Sequence, residues 1–170
     1  VFAQADFSSY RHDGAVSRVW TMTCPPRGAV QSAVLSRLLE PNRDVQRKRV
    51  TILYQPMDAA KAPSVVEWDL NHARANAAGA RPSARSINEL AAASEVASEE
   101  ASGAGLVDFA MIITATTTPD HLEDTSVTVN ALSAASRLLI RPAYGAQDSG
   151  FALGLPLGLH PANASVKAMP

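Results

Sequence analysis

The chain begins with two short stretches in which apolar and polar side chains alternate, the pattern of half-buried β-strands. They span residues 7–11 and 18–24, and a His-Asp-Gly turn sequence at 12–14 separates them. Pro25 and Pro26 end the second stretch, because proline cannot donate a hydrogen bond to a β-ladder. The pattern predicts an N-terminal β-hairpin.

A helical period follows, and then a further strand. Between residues 28 and 39 apolar side chains recur every three or four positions, which predicts an amphipathic helix. Residues 49–55 return to alternation and place Val50, Ile52 and Tyr54 on one face of a strand.

Residues 58–105 differ in composition, since they are rich in Ala, Ser, Glu, Arg and Asn and poor in large apolar side chains. A Gly- and Pro-containing break at 79–82 separates two helical periods. Ser86 and Glu89 have the spacing of a capping box, which predicts the start of the second helix. We predict two antiparallel helices that protrude from the domain, because they have little bulky surface to bury. A disordered polar insertion is the alternative.

The last third of the chain predicts a strand, a helix and a strand. Residues 106–118 form a nearly continuous apolar and β-branched run, which suits a central strand. Thr118 offers a capping hydroxyl, and Pro119 suits the first position of a helix. Residues 138–141 form a short strand, which Pro142 limits to an edge or a strand end.

These elements together predict an α+β fold. Without the first strand and the helical hairpin, their order is β-α-β-β-α-β, the ferredoxin-like arrangement, in which two helices cover one face of an antiparallel sheet. We divide the chain into a first half of the domain (1–57), a helical-hairpin insertion (58–105), a second half (106–159) and a tail (160–170).

Composition narrows the function classes. The chain has 170 residues, with 15 basic and 16 acidic side chains, and this balance is unlike the basic excess of a dedicated nucleic-acid binder. Cys24 is the single cysteine, so an internal disulfide is excluded and a reducing compartment is the simpler expectation. The chain begins at Val1 without a signal-peptide pattern, and we expect it to be part of a longer protein.

The sequence carries no motif that predicts catalysis, a cofactor or a metal. The glycines of 154–158 lack the lysine of a phosphate-binding loop. Ser149 lacks the glycine two positions earlier that a nucleophile elbow requires, because Gln147 stands there. The four histidines do not pair with other ligands at a known metal spacing. We therefore expect a non-enzyme without cofactor or metal.

Two groups of residues are candidate partner contacts. The cluster of Arg43, Arg47, Lys48 and Arg49 could contact phosphates or lipid headgroups, or it could be a solvated loop that enters a strand. In the hairpin, the candidates are Trp68, Leu70, Ile87 and Leu90.

Trp68 matters most among these candidates, because an aromatic side chain on an Ala-rich helix is a plausible anchor for a partner. Packing of Trp68 on the domain body is the alternative. An RNA-recognition module is not favoured, because the predicted central strand offers only Phe109 for stacking on bases.

The stretch YGAQDSGFALGLPLG at 144–158 resembles a motif of a known family. The motif reads Tyr-Gly-x-Gln, then a Phe, then Leu-Pro-Leu-Gly, and it closes the N-terminal soluble domain in a family of actinobacterial conjugation proteins. That family is related to the N-terminal, non-motor region of TraC/TrbE-type secretion ATPases of type IV secretion systems. The matching residues are Tyr144, Gly145, Gln147, Phe151, Leu155, Pro156, Leu157 and Gly158.

The stretches SRVWTMTCPPRGAV and LVDFAMIITATTTPDHLED resemble family strands that lead into helices. The chain departs from the family at Ala143, where Leu is frequent, and at 99–103, where Ala-Gly-His-Ala is usual.

The resemblance implies a non-catalytic scaffold domain of a conjugative type IV secretion assembly involved in DNA transfer. This domain would be a soluble fragment at the cytoplasmic face of the membrane, with membrane segments outside this chain. The implied partners are other secretion-machine proteins, including a motor ATPase, and a second copy of the chain is possible. The alternatives are a nucleic-acid-binding module that uses the 43–49 cluster and an enzyme without a recognisable motif. We predict that the motif closes the fold, with Phe151, Leu153 and Leu155 packing on the core.

Overall fold

The computed structural model describes residues 2–25, 31–79 and 81–159. The strands of the described part are β1 (Ala3–Ala5), β2 (Tyr10–His12), β3 (Ala15–Cys24), β4 (Arg47–Pro56), β5 (Val107–Thr117) and β6 (Leu139–Pro142). Its α-helices are α1 (Ser36–Leu39), α2 (Ala62–Ala77), α3 (Ala84–Ala101), α4 (Leu122–Ala135) and α5 (Gln147–Leu153). The predicted tail and the start of the predicted first helix lie outside the described residues.

The strands form one sheet in the order β1-β2-β3-β5-β4, and β6 also pairs with β3. Strand β3 pairs antiparallel with β2, β5 and β6. Ser17 faces both Tyr10 and Thr116, whereas Trp20 faces both Ile113 and Pro142. A strand has only two edges, so β2 and β6 follow one another along the edge of β3 opposite β5. The predicted α+β class with an antiparallel sheet is confirmed.

The chain divides into two compact units. The first, here called the body, combines the residues up to Leu53 with those from Ala110 onward. The second, here called the hairpin unit, is Tyr54–Phe109 and contains α2, α3 and the adjoining ends of β4 and β5.

One face of the sheet in the body packs on α1 and α4. Alternation along β5 sends Met111, Ile113 and Ala115 to this face, and burial of such apolar surface is the main stabilising term in folding. The complete buried cluster consists of Trp20, Leu38, Val45, Met111, Ile113, Ala115, Val129 and Leu138.

The opposite face of the sheet is covered by α5. Val19 of β3 and Ile112 of β5 pack there against Leu153 of α5, with Phe151 partly buried beside them. A Cβ atom on Gly150 would lie 2.9 Å from Val19 Cγ1, so only glycine lets the helix approach this closely. Residues Gln147–Leu153 of the Gly-rich stretch form this short helix, whereas the sequence analysis predicted only that the stretch packs on the core.

Two local expectations are corrected. The helix after the break begins at Ala84, and its cap is Ser83 Oγ, which accepts a hydrogen bond from the Ser86 amide at 3.0 Å. Ser86 therefore lies inside the helix, and the predicted Ser86–Glu89 capping box does not form. Thr118 makes no side-chain cap bond.

The N-terminal region also differs from the prediction, because the strand predicted at 7–11 spans only Tyr10–His12. His12 belongs to strand β2, and the turn is Asp13-Gly14, where both residues have positive φ (48° and 78°). Two positive φ values are typical of the two-residue turns that match strand twist. Strand β1, which pairs with β2, was not predicted. The first helix is short in the described residues, with a 3-10 turn at Ser32–Leu35 before the single turn of α1.

Candidate functional site

Helices α2 and α3 pack on each other through small side chains. In α2 the buried residues are Ala62, Val66 and Ala73, which recur at helical spacing on one face. In α3, Ser86 is buried and Ala93 is half-buried on the corresponding face. Small side chains let the two helices approach closely but bury little apolar area. A short connection joins the helices, which makes them antiparallel neighbours.

A groove of about 310 Å³ runs between α2 and α3. Its floor is apolar, because Val66, Ala73 and Val96 are among its lining residues. Two carboxylates, Asp69 and Glu89, also line it. The full lining comprises Val66, Asp69, His72, Ala73 and Asn76 of α2 with Glu89, Ala92, Ala93 and Val96 of α3. The groove thus combines a small apolar floor with negative charge.

Trp68 adjoins this groove through His72. The two rings are one helical turn apart on α2 and stack with centroids 5.4 Å apart and an interplanar angle of 8°. The Trp68 side chain is nevertheless 65% exposed. This leaves a large aromatic surface in contact with solvent, next to a groove that His72 lines.

The other predicted hairpin contacts occupy different environments. Ile87 is 54% exposed, so its side chain is available to a partner. Leu70 and Leu90 are half-buried, each four residues beyond a buried position, Val66 and Ser86 respectively. Their spacing places them near the helix–helix contact, where they contribute to the packing of the hairpin.

The strand ends of the hairpin unit expose further apolar surface. Tyr54, Val107 and Phe109 are all exposed, and the two strand segments are joined where the Met57 amide donates to the Leu106 carbonyl at 2.9 Å. These residues add to the apolar surface that the hairpin unit presents to solvent.

Sequence reasoning missed the charged members of the groove, Asp69 and Glu89. Both lie beside the buried positions of their helices. The helical spacing of the apolar residues could therefore have indicated that these two carboxylates lie near the helix–helix contact.

The basic cluster does not form one free patch. Arg43 and Arg47 are exposed, but Lys48 Nζ donates to the Glu40 carbonyl at 2.9 Å. Desolvation lowers the pKa of Lys48, and the nearby Glu40 charge opposes this shift. Arg49 is also engaged, because its guanidinium lies 5.0 Å from the centroid of the Phe151 ring and donates to the Phe151 carbonyl. Partial burial likewise lowers the pKa of Arg49.

Gln147, at the centre of the family-like motif, is fully buried. Its Oε1 accepts a hydrogen bond from the Val19 amide at 2.8 Å. Its Nε2 donates to the Val19 carbonyl at 3.3 Å and to the Ala143 carbonyl at 3.0 Å. The Gln147 side chain thereby forms hydrogen bonds to the backbone of β3 of the kind that a neighbouring strand would form. Its role is structural.

Of the remaining motif residues, some make contacts that stabilise the fold, and the others are exposed near the end of the described chain. Tyr144 stacks on Phe7 at 5.2 Å, and Gly145, with φ of 71°, donates its amide to the Phe7 carbonyl at 2.8 Å. Leu155 is half-buried. After α5 the chain exposes Pro156, Leu157 and Gly158.

A histidine–serine contact in the body was not foreseen. His12 Nε2 lies 2.8 Å from Ser17 Oγ, which in turn lies 2.6 Å from Thr116 Oγ1. Ser17 has no solvent exposure, so its hydroxyl cannot meet a substrate. The contact links β2, β3 and β5 across the sheet and has a structural role.

Within residues 2–25, 31–79 and 81–159, no three His, Cys, Asp or Glu side chains are grouped to hold a metal ion. In the same part of the chain, no helix has the length and apolar character to cross a membrane. A scan against models of protein families finds no match to the chain, and a search of curated proteins finds no significant match.

Proposed function

We propose that this protein is a non-catalytic scaffold domain whose hairpin unit binds other proteins. The observation that carries the proposal is Trp68, which is 65% exposed and stacks on a residue of the α2–α3 groove. Exposed aromatic side chains beside an apolar depression are typical of the residues that dominate binding energy at interfaces. Ile87 adds a second exposed apolar side chain on α3.

We further propose that this scaffold works in a conjugative type IV secretion assembly at the cytoplasmic face of the membrane. The support is the resemblance of residues 144–158, together with the structural use of Gln147 and Phe151 in covering the second face of the sheet. Buried contacts of this kind are expected of the residues in a motif that closes a domain. Membrane segments outside this chain and a motor ATPase among the partners belong to the same proposal.

The order of the strands in the body also supports a more specific fold for this unit. The strands β6, β3, β5 and β4 are successive neighbours in the sheet, and α1 and α4 pack on one face. We interpret this order as the ferredoxin-like arrangement with α2 and α3 inserted between β4 and β5. In this interpretation β1, β2 and α5 are additions.

A pull-down from membranes of the source cell, with the whole 170-residue chain as bait, tests the proposal. We expect a motor ATPase or other secretion components among the captured proteins, and at least about tenfold weaker capture by Trp68→Ala. Val127→Ala is the matched control, because Val127 is an exposed apolar residue on α4 of the body. Equal capture by both variants and the unmodified chain would contradict the role of Trp68.

The nucleic-acid alternative has weaker support from the geometry. Of the four cations in the cluster, Lys48 and Arg49 already bind protein groups. Only Arg43 and Arg47 are exposed, and two cations release few counterions on binding phosphates.

A further inference from the structure

The charges of the hairpin are segregated along its length. From Ala62 to Ala101, the basic residues are Arg74, Arg81 and Arg85, at the end of α2, in the connection and at the start of α3. The acidic residues lie outside that segment and are Glu67, Asp69, Glu89, Glu95, Glu99 and Glu100. Because α2 and α3 are antiparallel, the arginines gather at the tip of the hairpin, and the remaining length is acidic.

This arrangement opposes the intrinsic stability of α3. The amino end of a helix favours negative charge and the carboxyl end favours positive charge. Helix α3 has the reverse, since Arg85 lies in its first turn and Glu99 and Glu100 lie in its last. The intrinsic stability of α3 therefore does not explain its charge pattern.

The hairpin charges also do not pair with one another in the described structure. The two ion pairs found among the described residues, Arg11–Asp6 and Arg18–Glu123, both lie in the body. The three arginines at the tip are exposed. Both signs of charge are thus available to an external partner.

We propose that the hairpin binds the same hairpin of a second copy of this chain in an antiparallel arrangement. The arginine tip of each copy then lies against the acidic length of the other. A two-fold axis makes both contacts identical and closes the assembly as a dimer. This inference rests on the proposed function, because it names one partner of the hairpin surface.

Charge complementarity favours a second copy over a different protein. An acidic partner would satisfy only the tip, and a basic partner would satisfy only the acidic length. A second copy satisfies both ends with one element. Pairing two hairpins also makes a four-helix arrangement, which can bury the apolar groove that the small side chains leave between α2 and α3.

Sedimentation equilibrium of the whole 170-residue chain tests the inference. We expect a dimer at an ionic strength of about 0.01 M, and a dissociation constant at least about tenfold higher at about 0.15 M. The reason is that the Debye length falls from roughly 30 Å to roughly 8 Å between these conditions. A chain that is monomeric at low salt overturns the inference.

Two charge-reversed variants give a sharper test. The tip variant carries Arg81→Glu and Arg85→Glu, and the length variant carries Glu95→Lys and Glu99→Lys, all at exposed positions. In the tip variant Arg74 is the only cation left between Ala62 and Ala101, and in the length variant cations replace two carboxylates of the acidic length. Each variant alone therefore places like charges against each other at both contacts and is expected to be monomeric. An equimolar mixture of the two is expected to form a heterodimer, because each then supplies the charge that the other needs. Far-ultraviolet circular dichroism of each variant verifies that the helices are retained.

A homodimer that neither variant weakens, or a mixture that stays monomeric, overturns the inference. Failure here is distinguishable from failure of the proposed function. Capture of secretion components that Trp68→Ala abolishes, by a chain that is itself monomeric, would overturn the second-copy partner and leave the scaffold proposal standing.

Discussion

The two tryptophans of this chain are in opposite environments, and they represent the two units. Trp20 of the body has no solvent exposure and lies in the cluster between the sheet and the helices. Trp68 of the hairpin unit is 65% exposed and contacts the ring of His72. The same residue type therefore stabilises the fold in one unit and is available for binding in the other.

The contrast extends to polar side chains. Gln147 of the body uses its amide in three hydrogen bonds to backbone groups, and Arg18 contacts Glu123, Ser126 and the Ser8 carbonyl. The hairpin arginines are instead exposed. From this contrast we infer that a candidate binding surface is indicated by side chains that make few contacts within the fold, more than by their residue type.

The strongest test of this contrast is to remove each tryptophan in turn. Trp20→Ala is expected to lower the free energy of unfolding by about 3–5 kcal/mol, because it empties a buried site. Trp68→Ala is expected to change it by less than about 0.5 kcal/mol, as is usual for exposed positions. Urea unfolding followed by circular dichroism measures both.

Trp20→Phe serves as a second variant in case Trp20→Ala does not fold, and it should cost less than the alanine substitution. A large loss of stability in Trp68→Ala would show that Trp68 supports the fold, and the contrast between the units would fail.

A smaller effect is expected at Gln147. Gln147→Met keeps the approximate size of the side chain but leaves the Val19 amide without its acceptor. Leaving a buried backbone donor unpaired costs about 1–3 kcal/mol, and we expect a loss in that range. Ser149→Ala, at an exposed position of the same helix, is the control and should change stability by less than about 0.5 kcal/mol. Equal stability of the two variants would contradict the structural role of Gln147.

The sequence predicted the strands of the body more completely than its helices. β5 was predictable because residues 106–118 form a nearly continuous apolar and β-branched run. Helix α5 was not predictable in the same way, because it is short and contains Gly150, a residue that normally disfavours helices. Close packing against Val19 outweighs that local preference.

In the hairpin, the helical spacing of the apolar residues predicted two helices, but the capping-box pattern predicted the wrong start for α3. Ser86 with Glu89 fits the capping-box pattern, and Ser83 lacks a Glu three residues later, yet Ser83 is the cap. The groove exists because particular faces of α2 and α3 meet. The arginines gather at one end of the hairpin because the two helices are antiparallel. Neither property is local in sequence.

The ion pair of the body should contribute less to stability than Trp20 or Gln147. Arg18 donates to both carboxylate oxygens of Glu123, at 2.8 and 3.2 Å, and this hydrogen bonding, together with its charge, lowers the pKa of Glu123. A carboxylate with a lowered folded-state pKa stabilises the fold above its unfolded pKa of about 4.3, and this contribution is lost as the pH falls through the folded value.

Glu123→Gln is therefore expected to lower the free energy of unfolding near pH 7 by at most about 1 kcal/mol, since the Glu123 side chain is 79% exposed. The difference in stability between this variant and the unmodified chain should narrow as the pH falls below about 4.3 and should close as the pH falls through the lowered folded-state pKa of Glu123, as measured by urea unfolding at each pH. Asp124→Asn, at the next position of α4, is the matched control, and its effect near pH 7 should be smaller because the exposed Asp124 forms neither of the two ion pairs found among the described residues. A gap for Glu123→Gln that persists unchanged at pH 3 would mean that the carboxylate charge is not what stabilises the body there, and the paired charges of the body would then not differ from the exposed charges of the hairpin.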